Sequence, residues 1–146
     1  MSSPREPLWA FMNARMGVPW SSDFRAIGIV RGDLLCAAVG YNGFMGRVCF
    51  MHSAFDDPSV ISRTFLRASF EYPFQQCGVR YLMAAVGANN KQALDIDYRC
   101  GFQLHEVLKD GAAEGEDLHI LRMTPEQCRW LKGNHGQKKS TSTSRL

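Results

Sequence analysis

The sequence predicts an α+β fold with a mixed, mostly antiparallel sheet, in which a central parallel strand pair is flanked by helices. An apolar run at residues 47–54 is followed by a helical segment at 59–77 and by a second apolar run at 79–86. Strand, helix and strand in this order form a right-handed crossover between two parallel strands. Turn sequences between shorter apolar segments on both sides of this unit predict antiparallel hairpins.

Each remaining element has its own local signal. Residues 7–16 carry apolar side chains at helical spacing and predict a helix with one buried face. A turn at Asn42-Gly43 or at Gly46 joins the third strand to the second. The predicted strands are 24–30, 34–41, 47–54, 79–86, 103–109 and 117–123, with an acid-rich loop at 110–116 between the last two.

Capping residues give the predicted ends of the other helices. Asp57 followed by Pro58 is a typical start for the 59–77 helix, because Asp caps free N–H groups and Pro is tolerated at the first helical position. Either Pro73 or Gly78 ends this helix. Asn90 can cap the next helix, and Gly101 can end it in the left-handed conformation. Pro125 begins a predicted terminal helix at 125–131.

Length and composition indicate one domain at 1–131 and a basic tail at 132–146. The 146 residues are 45% hydrophobic, which is sufficient for a core. The tail contains four basic residues and no acids, so without it the net charge changes from +3 to −1 (3 − 4). The folded part is therefore not basic, and nucleic acid is not an expected partner. The polar tail cannot bury enough apolar surface to fold, and we expect it to be flexible.

Neither membrane insertion nor export is indicated. No apolar run reaches the roughly 18 residues of a membrane span, and the N-terminus lacks the apolar region of a signal peptide. We therefore expect a cytoplasmic protein. The five cysteines show no C-x-x-C spacing, so we expect mostly buried thiols and no metal site or disulfide framework.

One motif allows a more specific interpretation. After the apolar run at 79–86, Asn90 and Ala93 form an N-x-x-A pattern, and Gly101-Phe102 follows eight residues later. This segment resembles the second half of a GNAT domain, the fold of a superfamily of N-acetyltransferases, and the order of predicted elements extends the resemblance over most of residues 1–131. The stretch Met123 to Leu131, M-x-x-x-x-C-x-W-L, is similar to short GNAT proteins of tailed phages.

The resemblance implies an N-acetyltransferase that uses acetyl-CoA as cosubstrate and acetylates a primary amine of a small molecule or a protein. The parallel strand pair would then form the cleft for acetyl-CoA. Asn90 and Ala93 correspond to residues near the pantetheine arm, and the backbone of Met51, His52 and Ser53 would bind its amides.

The phosphate site departs from the family pattern. GNAT domains carry a loop of the form R/Q-x-x-G-x-G/A, but residues 58–63 contain no glycine. Hydroxyl and guanidinium groups could bind the pyrophosphate in its place at the start of the helix. These candidates are Ser59, Ser62, Arg63 and Thr64, although Arg63 could also be an ordinary surface residue.

The reaction needs a base for the amine and an acid for the leaving thiolate. Many GNAT domains use a tyrosine seven residues after the motif asparagine, where this chain has Asp97, and Tyr98 follows it. We therefore consider Tyr98 and Asp97 as the acid and His52 as the base, with Glu71 and His105 as weaker alternatives for the base. Each of these residues also has an ordinary structural explanation.

Two further hypotheses concern binding. The missing glycines and the displaced tyrosine favour a catalytically inactive GNAT-fold protein that acts on a host or partner protein. The predicted strand at 24–30 is at an open sheet edge, which favours a homodimer. A monomer would need the first helix and Trp20 to shield that strand.

Overall fold

The computed structural model describes residues 5–131, so the predicted tail at 132–146 lies outside the described residues. Three α-helices span Arg5–Met16 (α1), Arg63–Glu71 (α2) and Lys91–Cys100 (α3). Six strands form one sheet: β1 (Arg25–Arg31), β2 (Leu34–Met45), β3 (Val48–Phe55), β4 (Tyr81–Gly87), β5 (Gln103–Ala113) and β6 (Glu116–Met123). Their order is β1-β2-β3-β4-β6-β5, with β3 and β4 parallel and the other pairs antiparallel. The predicted α+β fold and its central parallel pair are confirmed.

The sheet separates two hydrophobic cores. Successive strand residues point to opposite faces, and Ala38 and Val39 of β2 accordingly belong to different cores. On one face, α1 buries Leu8, Phe11 and Met12 against β1, β2 and β3, as predicted. On the other face, α2 packs against the larger core, which includes residues from β2, β3, β4 and β6.

Gly40 of β2 allows α1 to lie close to the sheet. A Cβ atom at this position would lie 2.6 Å from the Phe24 ring and 3.0 Å from the Met12 sulfur. A larger residue would therefore push the helix away from the sheet. The homodimer expected through β1 stays a prediction, and a 16.4 kDa species in light scattering would contradict it.

The predicted start of the 59–77 helix is wrong, and of its two predicted ends, Pro73 or Gly78, the α-helix stops just before Pro73. The segment contains a short 3₁₀ turn at Pro58–Val60, then α2, and then a π-helical turn at Tyr72–Gln76. Asp57 caps only the 3₁₀ turn, since its Oδ1 accepts the Ser59 N–H at 2.9 Å. The α-helix starts later because the Ser62 hydroxyl accepts the Phe65 N–H at 3.0 Å.

Pro73 explains why α2 ends early. A residue at this position of an α-helix would donate its N–H to the Ser69 carbonyl, but proline has no N–H. The buried Tyr41 hydroxyl donates to the Ser69 carbonyl instead, at 2.5 Å. Beyond Pro73 the turn widens, and the Cys77 N–H bonds the Tyr72 carbonyl at 3.0 Å.

Two predictions near the C-terminus are also corrected. The loop predicted at 110–116 is a two-residue turn at Glu114 and Gly115, where Gly115 adopts a φ of 84° and donates its N–H to the Asp110 carboxylate, so β5 extends to Ala113. The terminal helix predicted at 125–131 is only a 3₁₀ turn at Pro125–Gln127. The chain then turns so that the Trp130 indole N–H can bond the Cys100 carbonyl at 3.0 Å.

None of the five cysteines forms a disulfide within the described residues. Cys49 and Cys128 are buried, Cys77 is exposed and the other two are half-buried, so the expectation that most are buried is wrong. Within residues 5–131 no group of three or more His, Cys, Asp or Glu side chains is arranged for a metal ion. No helix in this described part has the length and apolar character needed to cross a membrane.

Candidate active site

A cleft opens where β3 and β4 separate. The two strands pair from Val48 and Tyr81 as far as Phe50 and Met83. Beyond this point β3 continues to Phe55 beside β2, and β4 continues beside β6. Because the two strands no longer pair, their facing backbone edges border a cleft of about 500 Å³.

The cleft has walls on both faces of the sheet. Ala54 belongs to the core under α1, whereas Met51 and Phe55 pack against the opposite core. By strand alternation, His52 shares the α1 face with Ala54, and Ser53 lies on the opposite face. Arg15 and Met16 at the end of α1 line the cleft as well, together with Asn90, Gln92, Ala93, Ile96 and Asp97 near or on α3.

Helix α3 presents one face to the cleft because its ends are well defined. The Asn90 side chain accepts the Ala93 N–H at 3.2 Å, and Gly101 ends the helix at a φ of 116°. Asn90, Ala93 and Asp97 are spaced by three and four residues and therefore lie on the same side. Both predicted ends of this helix are confirmed.

A carboxylate supports the short loop before α3. Glu116, at the start of β6, accepts the Asn89 N–H through Oε2 at 2.9 Å. A Cβ at Gly87 would lie 2.4 Å from the same oxygen, so a side chain there would displace the carboxylate. Glu116 thus helps to position Asn90 at the edge of the cleft. Glu116 is not among the predicted site residues, because its position in the sequence falls in the predicted loop 110–116.

Asp97 is the cleft residue with the strongest electrostatic perturbation. Burial disfavours its ionised form and raises the pKa of its carboxyl to about 7. At neutral pH a substantial fraction of Asp97 is therefore protonated and can donate a proton.

His52 has the properties of a neutral base. Its Nε2 lies 2.8 Å from the Asn42 amide oxygen, which can only accept, so Nε2 carries the hydrogen and Nδ1 is free to accept a proton. Burial lowers the pKa of the imidazole. Asn42 was predicted as a turn residue, but β2 continues through it. The pairing of Gly40 with His52 places Asn42 diagonally across from the histidine.

A second, smaller cavity continues from the cleft between α2 and α3. Its volume is about 290 Å³, and most of its lining side chains are apolar. The two cavities share Met51, Ser53, Phe55, Ile96, Asp97 and Phe102. Asp97 therefore lies where the second cavity joins the cleft.

The other predicted site residues lie outside both cavities. Tyr98 is 42% exposed, because α3 is regular and one residue turns the side chain by about 100° from Asp97. Glu71 and His105, the weaker alternatives for the base, also line neither cavity. The same is true of the predicted phosphate ligands Ser59, Ser62, Arg63 and Thr64, although the neighbouring Ile61 and Phe65 line the second cavity.

An ion pair at the α1 end of the cleft was not predicted. Arg15 donates from Nε and Nη2 to the two carboxylate oxygens of Asp56, at 2.6 and 3.2 Å. Both residues line the cleft. They lie 41 positions apart in the sequence. No local pattern connects them, and only the packing of α1 across β3 brings them together.

The fold can now be compared with known proteins. No protein-family model matches this sequence, and no curated protein is similar to it at a significant level. Spermidine/spermine N-acetyltransferase SpeG from Vibrio cholerae superposes with a TM-score of 0.70 at 13% identity, over 86% of this chain and 91% of that protein. N-acetyltransferase PseH from Campylobacter jejuni, solved with acetyl coenzyme A, gives a TM-score of 0.56 at 14% identity, over 72% and 70%.

These similarities establish the fold. The chain has the fold of the GNAT N-acetyltransferases, as its N-x-x-A and Gly-Phe motifs predicted. At such low identity the comparison assigns neither a substrate nor the role of any residue to this chain. The further resemblance to short phage proteins stays a prediction.

Proposed function

We propose that the protein is an acetyl-CoA-dependent N-acetyltransferase, which transfers the acetyl group to a primary amine of a small molecule or a protein. One observation carries this proposal: a side chain suited to act as an acid and one suited to act as a base reach the same cleft from opposite faces of the sheet. The leaving thiolate and the attacking amine need these two groups on opposite sides of the thioester.

The free edge of β3 suits the pantetheine arm. Past Phe50 this strand pairs with β2 on one side only, so its other backbone edge faces the cleft. An extended arm with two amide groups can bond Met51, His52 and Ser53 there as an added strand would. Asn90 and Ala93 border the same cleft and contact the arm in this proposal.

The proposed reaction uses His52 and Asp97. His52 Nδ1 accepts a proton from the acceptor amine, whose nitrogen attacks the thioester carbonyl carbon. The tetrahedral intermediate then collapses with cleavage of the C–S bond. The protonated Asp97 carboxyl donates its proton to the departing CoA thiolate, which leaves an amide and CoA. Tyr98 remains the alternative acid, but its exposure favours Asp97.

The start of α2 is the proposed site for the pyrophosphate. The helix begins at Arg63, so the N–H groups of Arg63 and Thr64 have no acceptor within it. The hydroxyl of Ser62 is already the helix cap, whereas Ser59 precedes the helix in the 3₁₀ turn. In this proposal the positive charge of Arg63 takes the place of the close backbone contacts that a glycine loop makes with the phosphates.

Binding and turnover can be tested separately. Acetyl-CoA at 100 times its dissociation constant should stabilise the protein by about 2.7 kcal/mol if it binds only the folded state. Release of the CoA thiol should then depend on an added amine, with polyamines and lysine-containing peptides as the first acceptors. SpeG acts on spermidine, which makes polyamines a natural starting point. The absence of a thermal shift with both acetyl-CoA and CoA would contradict the proposed function.

A catalytically inactive GNAT-fold protein that binds a host or partner protein is the second candidate. The absence of glycine at residues 58–63 favours it, because the phosphate loop of the fold depends on glycine. Under this alternative, CoA binding without thiol release should be observed across the whole amine panel, or no CoA binding at all.

A further inference from the structure

We propose that a second copy of this chain binds to the part of the sheet that α1 leaves uncovered. Helix α1 packs against β1, β2 and β3. By strand alternation, β4, β6 and β5 direct five apolar side chains to the same face of the sheet. None of the five belongs to either hydrophobic core of the described residues. This surface is the open face, and its apolar members are Tyr81, Met83, Leu108, Leu118 and Ile120.

The apolar side chains of the open face lie on three adjacent strands. Leu108 of β5 pairs with Leu118 of β6, and Ile120 of β6 pairs with Ala85 of β4. Tyr81 and Leu108 are 43% and 44% exposed, and the other three are half-buried. Contiguous apolar surface of this kind is uncommon on monomeric soluble proteins and marks a binding surface.

Two charged side chains of the open face restrict what can bind there. Arg122 of β6 is half-buried, and it forms no hydrogen bond, ion pair or ring contact with any residue from 5 to 131. Glu106 of β5 is exposed and is unpaired in the same described part of the chain. A guanidinium that is covered without a partner costs free energy. The occupant must therefore bring a carboxylate to Arg122 as well as apolar groups.

A second copy supplies that carboxylate. Glu106 pairs with Ile120, two residues from Arg122, so the two charges are diagonal neighbours on the open face. In a two-fold dimer the same surface is used twice, and Glu106 of each copy then meets Arg122 of the other. The chain's own tail at 132–146 contains no Asp or Glu and does not match Arg122.

The open face also borders the cleft. Ala85 is exposed beside Ile120 and lines the cleft as well. The second copy therefore lies next to the cleft on the face of the sheet that carries His52. In this proposal the dimer forms through the open face and not through the β1 edge.

The first test is the mass of the full chain in solution. Light scattering and sedimentation at micromolar concentration should give twice the 16.4 kDa of one chain. Leu108→Glu should raise the dimer dissociation constant about 100-fold, because it places two carboxylates in the apolar contact. Leu108 is exposed on an edge strand, so this variant should keep its fold, which circular dichroism checks.

A charge exchange tests the proposed pairing directly. Glu106→Arg alone and Arg122→Glu alone should each raise the dissociation constant about 30-fold, because two attractive pairs become two repulsive ones. The double variant should return to within about threefold of the wild type, since its charges are exchanged but still opposite. Lys109→Glu is the matched control, because Lys109 follows Leu108 on β5 and points to the other face.

Three outcomes would overturn the inference. The first is a wild-type mass of 16.4 kDa across the micromolar range. The second is dissociation by Val30→Glu, at the exposed β1 edge, while the open-face variants remain dimeric. The third is a double variant that dimerises no better than the two single variants, because the two charges would then not face each other. None of these results affects the proposed function, which is tested by binding of acetyl-CoA.

Discussion

The two strand–helix units beside the cleft, β3 with α2 and β4 with α3, have the same direction but different connections. The β4–α3 loop is short and braced by Glu116, and α3 starts at the residue after its predicted cap. The β3–α2 connection is longer, contains a 3₁₀ turn, and leads to a helix that starts later than predicted. The short, braced loop turns one face of α3 into the cleft, whereas the polar residues along the longer connection line neither cavity: Ser59, Ser62, Arg63 and Thr64.

The largest expected effect tests whether α3 presents the acid. Asp97→Asn should lower kcat by about 10² to 10⁴, the usual contribution of general acid catalysis, while acetyl-CoA affinity changes little. Tyr98→Phe should leave kcat near the wild-type value, since Tyr98 is outside the cleft. Asp95→Asn is the control on the same helix. A large decrease in kcat for Tyr98→Phe would instead show that Tyr98 is the acid.

The pH dependence of kcat sharpens the same assignment. The neutral imidazole of His52 is needed as base, so kcat should fall below its lowered pKa. The protonated carboxyl of Asp97 is needed as acid, so kcat should also fall above about pH 7. Asp97→Asn should remove the alkaline fall in kcat. Any pH dependence that is set by the amine acceptor is common to both proteins and should remain.

The next effect concerns stability. In the folded protein the pKa of Asp97 is about 7, above its ordinary value of 3.8, so the folded state binds the extra proton between these pH values. The free energy of unfolding that Asp97 contributes should therefore fall as pH rises through this window. At mildly alkaline pH, Asp97→Asn should be more stable than the wild type by at most about 4 kcal/mol, and by less if solvent reaches the carboxyl.

Chemical denaturation at several pH values checks this prediction. The lowered pKa of His52 has the opposite effect below its ordinary value of 6.5, because only the unfolded state binds that proton readily. The difference between wild type and Asp97→Asn cancels the histidine contribution. A difference that does not change with pH would show that the Asp97 carboxyl is not perturbed by burial.

The third effect tests the start of α2. If Arg63 binds the pyrophosphate, Arg63→Ala should weaken the binding of CoA by about 1.5 to 3 kcal/mol, the range for a hydrogen bond to a charged group. The binding of dephospho-CoA should be weakened by the same amount, because this compound retains the pyrophosphate. Pantetheine should bind both proteins equally. Arg67→Ala, an exposed arginine on the same helix, is the matched control, and equal affinity for CoA in both variants would make Arg63 an ordinary surface residue.

Local sequence signals predicted the parts of the fold that depend on neighbouring residues. Asn90 and Gly101 bracket α3 because their own hydrogen bonds and backbone angles define its ends. For α2 the sequence left two possible ends, Pro73 or Gly78, because the Ser69 carbonyl, which Pro73 leaves without an N–H donor, is satisfied by Tyr41, 28 residues away in the chain. The site divides in the same way: Asn90, Ala93 and Asp97 follow one helix face, whereas Arg15 and Asp56 meet only after α1 packs on the sheet.

The smallest effect distinguishes the two possible starts of α2. Ser62→Ala should lower the free energy of unfolding by about 1 kcal/mol, because the Phe65 N–H loses its acceptor in the first turn. Asn90→Ala should have a similar effect on α3, since Asn90 caps that helix in the same way. Asp57→Ala should leave the value within error, because Asp57 is fully exposed and caps only the 3₁₀ turn. Denaturant titration of the three variants measures these differences. A larger decrease in the free energy of unfolding for Asp57→Ala than for Ser62→Ala would show that the helix begins at Pro58, as predicted from the sequence.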